Sequence, residues 1–133
     1  MKLLLDTHVL LWALGAPQRL PDSLIADLRD PANEVLFSAV NIWEIAIKAS
    51  QGRPTFAINA ELVATEAREA GFVDLPVSAR HAAAVQTLPP LHSDPFDRLL
   101  VAQALCEPAH LVTADGQMSR YTVLLRQFNP NPP

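Results

Sequence analysis

Short apolar runs that stop abruptly constrain the fold of this chain more than any other feature. Four of them end at polar residues, glycine or proline, and they predict buried strands at Lys2–Leu5, 34–37, 72–77 and His110–Thr113. A fifth strand is predicted at 123–125. The runs lack the period-two alternation of a half-exposed sheet, and such strands are typical of a parallel sheet that is buried on both faces.

Segments with helical spacing of apolar residues separate the predicted strands. They cover residues 8–14, 21–30, 38 or 41 to 51, 59–70, 78–88 and 94–105. Strands that alternate with helices predict an α/β fold, with helices on both faces of the sheet. The length of 133 residues fits a single domain, expected at 1–128. The Pro- and Asn-rich tail at 129–133 is expected to be disordered.

Composition limits the class of protein without choosing a function. No apolar run reaches the roughly 18 residues that a membrane span needs, and Asp6 and His8 interrupt the N-terminal run, which argues against a signal peptide. Cys106 is the only cysteine, so an internal disulfide is excluded and a cytoplasmic protein is expected. The net charge of −4 argues against a general nucleic-acid binder, but it allows a nuclease whose acids surround a cation.

Acidic residues recur where the predicted strands end. Asp6 directly follows the first strand, and Asp115 follows the fourth by two residues. Glu44 lies on the helix after the second strand, and Asp94 and Asp97 begin the helix that precedes the fourth. Because ligands of an open parallel sheet bind at the carboxyl ends of its strands, we expect these acids to converge there.

Each acid also has a purely local explanation. Asp94 and Asp97 fit the N-cap and third positions of a helix start. Glu44 fits a capping box that begins at Asn41, and it is spaced for an i,i+4 ion pair with Lys48. The other two acids fit a helix cap and a turn.

Electrostatics favours a common site over these separate explanations. Two carboxylates about 4 Å apart repel by about 4 kcal/mol at an effective dielectric constant of about 20. Several such groups at one sheet edge need a compensating cation, and a hard divalent ion with oxygen ligands fits them best. The sequence therefore predicts a divalent metal site.

Four segments resemble the PIN-domain ribonuclease toxins of bacterial toxin–antitoxin pairs, the VapC-like proteins. Their order and spacing agree with that family, and together they extend over nearly the whole chain. The segments are 3–8 (LLLDTH), 38–48 (SAVNIWEIAIK), 92–104 (HSDPFDRLLVAQA) and 111–115 (LVTAD).

The resemblance implies a three-layer α/β/α sandwich around a central parallel β-sheet, a homodimer, and cleavage of single-stranded RNA that requires Mg²⁺ or, in its place, Mn²⁺. It also implies a cognate antitoxin protein as partner. The functional acids of the family fall on Asp6, Glu44, Asp97 and Asp115, which are expected to be catalytic residues and metal ligands. Asp94 is expected to support them or to bind the metal occasionally.

Further residues are assigned supporting roles. Thr7 and Thr113 are expected either to hydrogen-bond the ligating carboxylates or simply to cap local structure. Asn41 stands where the family often has Ser or Thr, and it retains hydrogen-bonding capacity. The general base is either Glu44 or Asp115, and this choice stays open.

The basic and aromatic side chains have less specific roles. Lys48, Arg98 and Arg53 are the candidates for contacts with RNA phosphates, although the first two also fit an ion pair and a solvated helix face. His92 either touches the scissile region or has no role. A last set is expected to be structural, with Cys106 as a buried small hydrophobe and the tryptophans in the core or a dimer contact: His8, His81, Cys106, Trp12 and Trp43.

Two other functions compete with this interpretation. Haloacid-dehalogenase-like phosphatases also begin with a strand that ends in Asp, but they need a second Asp two residues later, where this chain has His8. A non-catalytic, receiver-like or scaffold domain that binds a cation would carry fewer acids and a lysine at the end of a late strand. Here that strand ends in Thr113, followed by Asp115 two residues on.

Overall fold

A five-stranded, entirely parallel sheet forms the centre of the computed structural model, which describes residues 1–121 and 124–133. The strand order is β3-β2-β1-β4-β5, and each neighbouring pair is parallel. The strands are β1 (Lys2–Leu5), β2 (Glu34–Ser38), β3 (Val73–Leu75), β4 (His110–Thr113) and β5 (Leu125–Gln127). The predicted α/β class is confirmed.

Six α-helices connect these strands within the described residues. They are α1 (Thr7–Gly15), α2 (Asp22–Arg29), α3 (Ala39–Ser50), α4 (Ala60–Glu69), α5 (Ala79–Ala84) and α6 (Pro95–Cys106). Short 3-10 turns lie at Pro17–Arg19, Pro54–Phe56, Val85–Thr87 and Gly116–Arg120.

The three leucines of β1 show how the sheet builds two cores. Leu3 and Leu5 point to one face, where they join apolar residues of α1, α2 and α4. Leu4 points to the other face and joins residues of α6, with α5 packed alongside. All three side chains are fully buried, because a central parallel strand is covered on both sides. The result is the expected three-layer α/β/α sandwich.

The strand order reverses at β1. The chain adds β2 and β3 on one side of this strand and β4 and β5 on the other. The carboxyl ends of β1 and β4 therefore border the crevice where sheets of this kind bind ligands. The pairing places Leu5 beside Val112, and the Asp6 N–H donates to the Val112 carbonyl at 2.9 Å.

A buried polar network ties α6 to the sheet. The amide of Gln103, which is fully buried, accepts from Ser38 Oγ and donates to the Pro76 carbonyl at 3.2 Å and to His81 Nδ1 at 3.3 Å. His81 Nε2 lies 2.7 Å from a Glu107 carboxylate oxygen. His81 therefore has the structural role that the sequence indicated.

The capping box of α3 differs from the prediction, although the start of the helix does not. The helix begins at Ala39 with Ser38 as its N-cap, so the earlier of the two predicted starts holds. The capping box joins Ser38 to Asn41, whereas the sequence indicated one from Asn41 to Glu44. Asn41 is buried, and its side-chain oxygen accepts from the Ser38 N–H at 2.7 Å. Because Glu44 takes no part in this capping box, its side chain is available for other contacts.

Other element ends differ for local reasons. β3 is shorter than 72–77 because the Phe72 N–H is bonded to the Ala67 carbonyl and Pro76 has no N–H to give to the sheet. The helix predicted at 78–88 tightens into a 3-10 turn after Ala84. β5 runs from Leu125 to Gln127, two residues later than predicted at its start, and the predicted start at 123 lies outside the described residues.

The C-terminal tail contacts the turn after α1. Asn131 exchanges backbone hydrogen bonds with the Arg19 side chain and carbonyl, and its amide donates to the Gln18 carbonyl at 3.1 Å. Disorder of 129–133 stays a prediction. Among the described helices, none is both long and apolar enough to cross a bilayer.

Replacing Leu4 with Ala should destabilise the protein by roughly 2–5 kcal/mol, because it removes buried methyl groups from a core that cannot fully collapse around the gap. Leu62→Ala is the matched control, since Leu62 lies on α4 with 55% of its surface exposed. That change should alter stability by no more than about 0.5 kcal/mol. Equal free energies of unfolding in urea for the two variants would contradict the described packing of β1.

Candidate active site

Five acidic side chains line one cavity of about 470 Å³ at the carboxyl ends of β1 and β4. They are Asp6, Glu44, Asp94, Asp97 and Asp115. Asp6 and Asp115 reach it from the strand ends, and the others come from α3 and from the start of α6. The convergence that the sequence predicted is therefore present in the fold.

Asp6 combines a local cap with a contact across the sheet. One carboxylate oxygen accepts from the Thr7 N–H at 2.7 Å and so caps α1. The other accepts from the Thr113 hydroxyl on β4, also at 2.7 Å. The residue is only 8% exposed. This carboxylate is thus held rigidly at the crevice between the two central strands.

A second chain of hydrogen bonds holds Glu44. The Thr7 hydroxyl donates to Glu44 Oε1 at 2.6 Å and accepts from Asn41 Nδ2 at 3.0 Å. The Asn41 amide also donates to the Leu5 carbonyl at 3.1 Å. The Lys48 ammonium pairs with the second Glu44 oxygen, which confirms the predicted i,i+4 ion pair. Both Glu44 oxygens therefore have partners within the chain.

The start of α6 presents two carboxylates to the cavity. Asp94 is the N-cap, and its Oδ1 accepts from the N–H groups of Phe96 and Asp97 at 2.9 and 3.2 Å. Asp97, one turn in, is 8% exposed and places Oδ2 at 2.7 Å from His92 Nε2. The predicted cap geometry and the predicted site thus coexist in the same residues.

Asp115 is the most accessible of the predicted ligands. Its side chain is 41% exposed, and Oδ1 caps the following 3-10 turn by accepting from the Gln117 N–H at 2.9 Å. Oδ2 lies 3.9 Å from His92 Nε2. The Asp115 N–H donates to the Thr113 hydroxyl at 2.9 Å, so that hydroxyl links Asp115 to Asp6.

Burial and neighbouring carboxylates disfavour the ionised forms of Asp6 and Asp97. Burial raises the pKa of Asp6, and the negative charge of the nearby Glu44 raises it further. The hydrogen bonds from Thr113 and Thr7 lower the pKa but do not cancel the rise. Burial, followed by the charges of Asp6 and Asp94, raises the pKa of Asp97 to about 7. Burial, more than any neighbouring charge, therefore disfavours the ionised forms of these two carboxyls.

Spacing within the cavity is uneven. His92, Asp94 and Asp97 place their donor atoms within 4.8 Å of one another. In the described part of the chain, this is the one group of three or more metal-ligating side chains that lie so close together. The predicted ligands Asp6, Glu44 and Asp115 line the same cavity at wider spacing. Their oxygen donors still fit a hard divalent cation such as Mg²⁺, which keeps several waters and needs few protein ligands.

The three predicted RNA contacts lie in different environments. Lys48 is 15% exposed at its side chain and is bound to Glu44. Arg98 turns away from the acids and donates to the Pro89 carbonyl at 2.9 Å and to the Tyr121 hydroxyl at 3.2 Å. Arg53 is exposed and lines a neighbouring cavity of about 390 Å³, to which Lys48 and Asp94 also contribute.

Several residues near the site were assigned no function from the sequence. His8 and Trp12 line the acidic cavity, as does Pro130 from the tail. A histidine and a tryptophan on the largely apolar helix α1 give no signal that distinguishes a cavity wall from a core position. His92, for which the sequence left a contact with the scissile region open, lies beside Asp97, and its place there depends on how the loop before α6 folds.

Two structural assignments change. Trp43 is 51% exposed and packs its edge against Phe96, with ring centroids 4.9 Å apart, so it is not a core residue. Its expected part in a dimer stays a prediction. Cys106 is only partly buried, because it lies in the last turn of α6 and not in its apolar centre.

A parallel sheet in this order, with carboxylates gathered beside the reversal of strand order, defines the class of α/β proteins with an acidic crevice site. The chain belongs to the PIN-domain family, whose model matches residues 3–124. It is 33% identical over 119 residues to Ribonuclease VapC22 of Mycobacterium tuberculosis, covering 86% of this chain and 88% of that protein.

Solved structures share the fold at low sequence identity. One is VapBC2 from Rickettsia felis bound to a DNA fragment from its promoter, with a TM-score of 0.70 and 19% identity over 97% of this chain and all of that one. Another is VapBC-1 from nontypeable Haemophilus influenzae, with a TM-score of 0.58 and 16% identity over 96% and 98% of the two chains.

The raised pKa of Asp97 should make the free energy of unfolding depend on pH. In the unfolded chain Asp97 ionises near its ordinary pKa of 3.8, but in the folded protein only near about 7. Ionisation thus favours unfolding, and without added metal the free energy of unfolding should fall between about pH 4 and pH 7, by a few kcal/mol. Asp97→Asn should remove much of this fall and stabilise the protein at neutral pH.

Denaturant unfolding at about pH 5 and pH 8 in EDTA checks this expectation. Asp74→Asn is the matched control, because Asp74 is exposed on β3, away from the cavity. The control should retain the wild-type pH dependence. If Asp97→Asn and wild type lose stability equally between the two pH values, Asp97 does not carry unfavourable charge.

Proposed function

We propose that this chain is a divalent-metal-dependent endoribonuclease that cleaves single-stranded RNA as the toxin of a toxin–antitoxin pair. One observation carries the proposal, namely that Asp6, Glu44, Asp97 and Asp115 line a single cavity where the strand order reverses. Family membership and 33% identity to a ribonuclease support it.

The metal would be held mainly by Asp6 and Asp97, with Asp115 and Glu44 completing the site or holding its waters. These oxygens suit Mg²⁺, and Mn²⁺ accepts the same donors. When bound, such an ion supplies a Lewis acid that activates water and offsets charge on the phosphoryl group. The raised pKa of the Asp97 carboxyl supports this role, since a cation there would offset the cost of burying the ionised group and its repulsion by Asp6 and Asp94.

The hydroxyl groups of Thr7 and Thr113 orient the carboxylates. Thr113 donates to Asp6, and Thr7 donates to Glu44 while Asn41 fixes the Thr7 oxygen. Such outer hydrogen bonds hold ligands in place before the ion binds and keep their rotamers fixed. Asp94 contributes by capping α6 and so placing Asp97.

Asp115 is the better placed of the two candidate general bases. Both oxygens of Glu44 are already bound, one to Thr7 and one to Lys48, and the residue is 4% exposed. Asp115 keeps Oδ2 at the accessible side of the cavity, where a water that attacks phosphorus would lie. A general base must reach the proton that it takes, so this difference in access supports Asp115 as the proposed base.

RNA would approach across the exposed side of the cavity. Arg53 is the strongest of the three candidates for a phosphate contact, because it is exposed and lines the adjoining cavity. Lys48 stays bound to Glu44, and Arg98 serves the loop before α6.

A protein antitoxin is the proposed partner. The solved relatives include VapBC assemblies from two bacteria, and an equivalent antitoxin here would block access to the acids. A homodimer is proposed as well, with the exposed Trp43 as a candidate contact. The chain would act in the cytoplasm, where its RNA substrate occurs.

The proposed activity is tested with labelled single-stranded RNA and protein freed of any co-purified inhibitor. Cleavage is expected with Mg²⁺ and not with EDTA. Asp6→Asn and Asp97→Asn should each lower the cleavage rate by about 100-fold or more, because loss of one supporting group already costs about 10–100-fold at metal sites. Asp74→Asn, outside the cavity, should cleave like wild type.

RNA that stays intact with Mg²⁺ and with Mn²⁺ would favour the rival function, a cation-binding domain without catalysis. Cleavage that survives in both cavity variants would point to a contaminating nuclease. A binding titration with Mg²⁺ separates these outcomes, since the non-catalytic domain would still bind the ion.

A further inference from the structure

The loop before α6 brings an imidazole into contact with the acids at the helix start. His92 Nε2 lies 2.7 Å from Asp97 Oδ2, and its side chain is 19% exposed. Together with Asp94, these two residues place three potential ligand atoms within 4.8 Å of one another. Within the described residues this is the tightest grouping of metal-ligating side chains, and the proposed nuclease reaction does not use His92.

Two arginines hold the loop that carries His92. The Arg98 guanidinium donates to the carbonyls of Pro89 at 2.9 Å and Leu88 at 3.4 Å. The Arg120 guanidinium donates to the Leu91 carbonyl. The imidazole is therefore presented from a backbone that is already fixed, which reduces the entropy lost when it binds a ligand.

The spacing of the three donors suits one ion after small side-chain rotations. Zinc bonds to nitrogen and oxygen are about 2.0–2.2 Å long, so neighbouring ligand atoms of a tetrahedral ion lie roughly 3.4 Å apart. The His92–Asp97 pair would open slightly from 2.7 Å. The imidazole proton would move to Nδ1, which is the other neutral form of the ring.

The donor set distinguishes between classes of cation. Asp94 uses Oδ1 to cap α6, which leaves Oδ2 as the oxygen for a ligand. One imidazole nitrogen with two carboxylates suits Zn²⁺, which takes nitrogen and oxygen donors in a four-coordinate shell with a water. Mg²⁺ instead prefers oxygen donors in an octahedral shell. The ion expected here is therefore not the one expected at the nuclease site.

We propose that His92, Asp94 and Asp97 form a zinc-type site beside the magnesium site. Because Asp97 belongs to both sites, an ion bound through His92 withdraws this carboxylate from the Mg²⁺ position. Zinc therefore antagonises magnesium in this protein. The zinc site itself does not depend on nuclease activity, but its effect on cleavage rests on the proposed function.

Calorimetric titration of the metal-free protein with Zn²⁺, and separately with Mg²⁺, tests the site. His92→Asn removes the imidazole, and Asp94→Asn removes the second ligand charge while Asn still caps the helix. Each should weaken Zn²⁺ binding by about tenfold or more, and His92→Asn should weaken Zn²⁺ binding more than Mg²⁺ binding, because Mg²⁺ does not use the imidazole as a ligand. His110→Asn is the matched control, since His110 lies at the start of β4, away from these residues.

Unchanged Zn²⁺ affinity in His92→Asn would overturn the proposal, as would an equal loss in His110→Asn or a wild-type protein that binds no Zn²⁺. Circular dichroism confirms that the variants are folded. The two proposals fail separately, because the titrations contain no RNA. Zinc binding through His92 without cleavage in Mg²⁺ would refute only the nuclease, and cleavage with unaltered zinc affinity in His92→Asn would refute only the zinc site.

Discussion

The burial of the Asp6 carboxylate at the end of β1 is the constraint on which the site depends. Its cost is offset by the Thr7 N–H and by the Thr113 hydroxyl, which reaches it from the neighbouring strand. The parallel pairing of β1 with β4 is what brings that hydroxyl within 2.7 Å. A fold that opened this pair would take the Thr113 hydroxyl away from Asp6, and a buried carboxylate that loses a hydrogen-bond partner is costly.

Local structure and function use the same side chains here. Asp6, Asp94 and Asp115 each cap a helix or a 3-10 turn, and each also lines the acidic cavity. A carboxylate has two oxygens, so one can satisfy backbone N–H groups while the other faces a ligand. Capping and metal binding are therefore not competing explanations for an acid at a helix start, and a choice between them from sequence alone is unnecessary.

The sheet was predictable because its strands are apolar runs with sharp ends, and the acids at those ends identified the crevice. Side-chain partners were harder to predict. Asn41 caps backward to Ser38 because both are buried at the end of β2, and sequence spacing does not distinguish this from a box with Glu44. Arg98 and His92 depend on the path of the loop before α6, which contains no periodic pattern. Strand β5 is short and lies at the sheet edge, where local signals are weakest.

The buried amide of Gln103 has a mechanical consequence for α6. Its three partners lie on different elements, at Ser38, Pro76 and His81. Sliding or rolling the helix by even one residue would break all three contacts and strand polar atoms in an apolar interior. The network therefore fixes the rotation and the register of α6 against the sheet. Because α6 carries Asp97, the position of that carboxylate is set before any ion or nucleic acid binds.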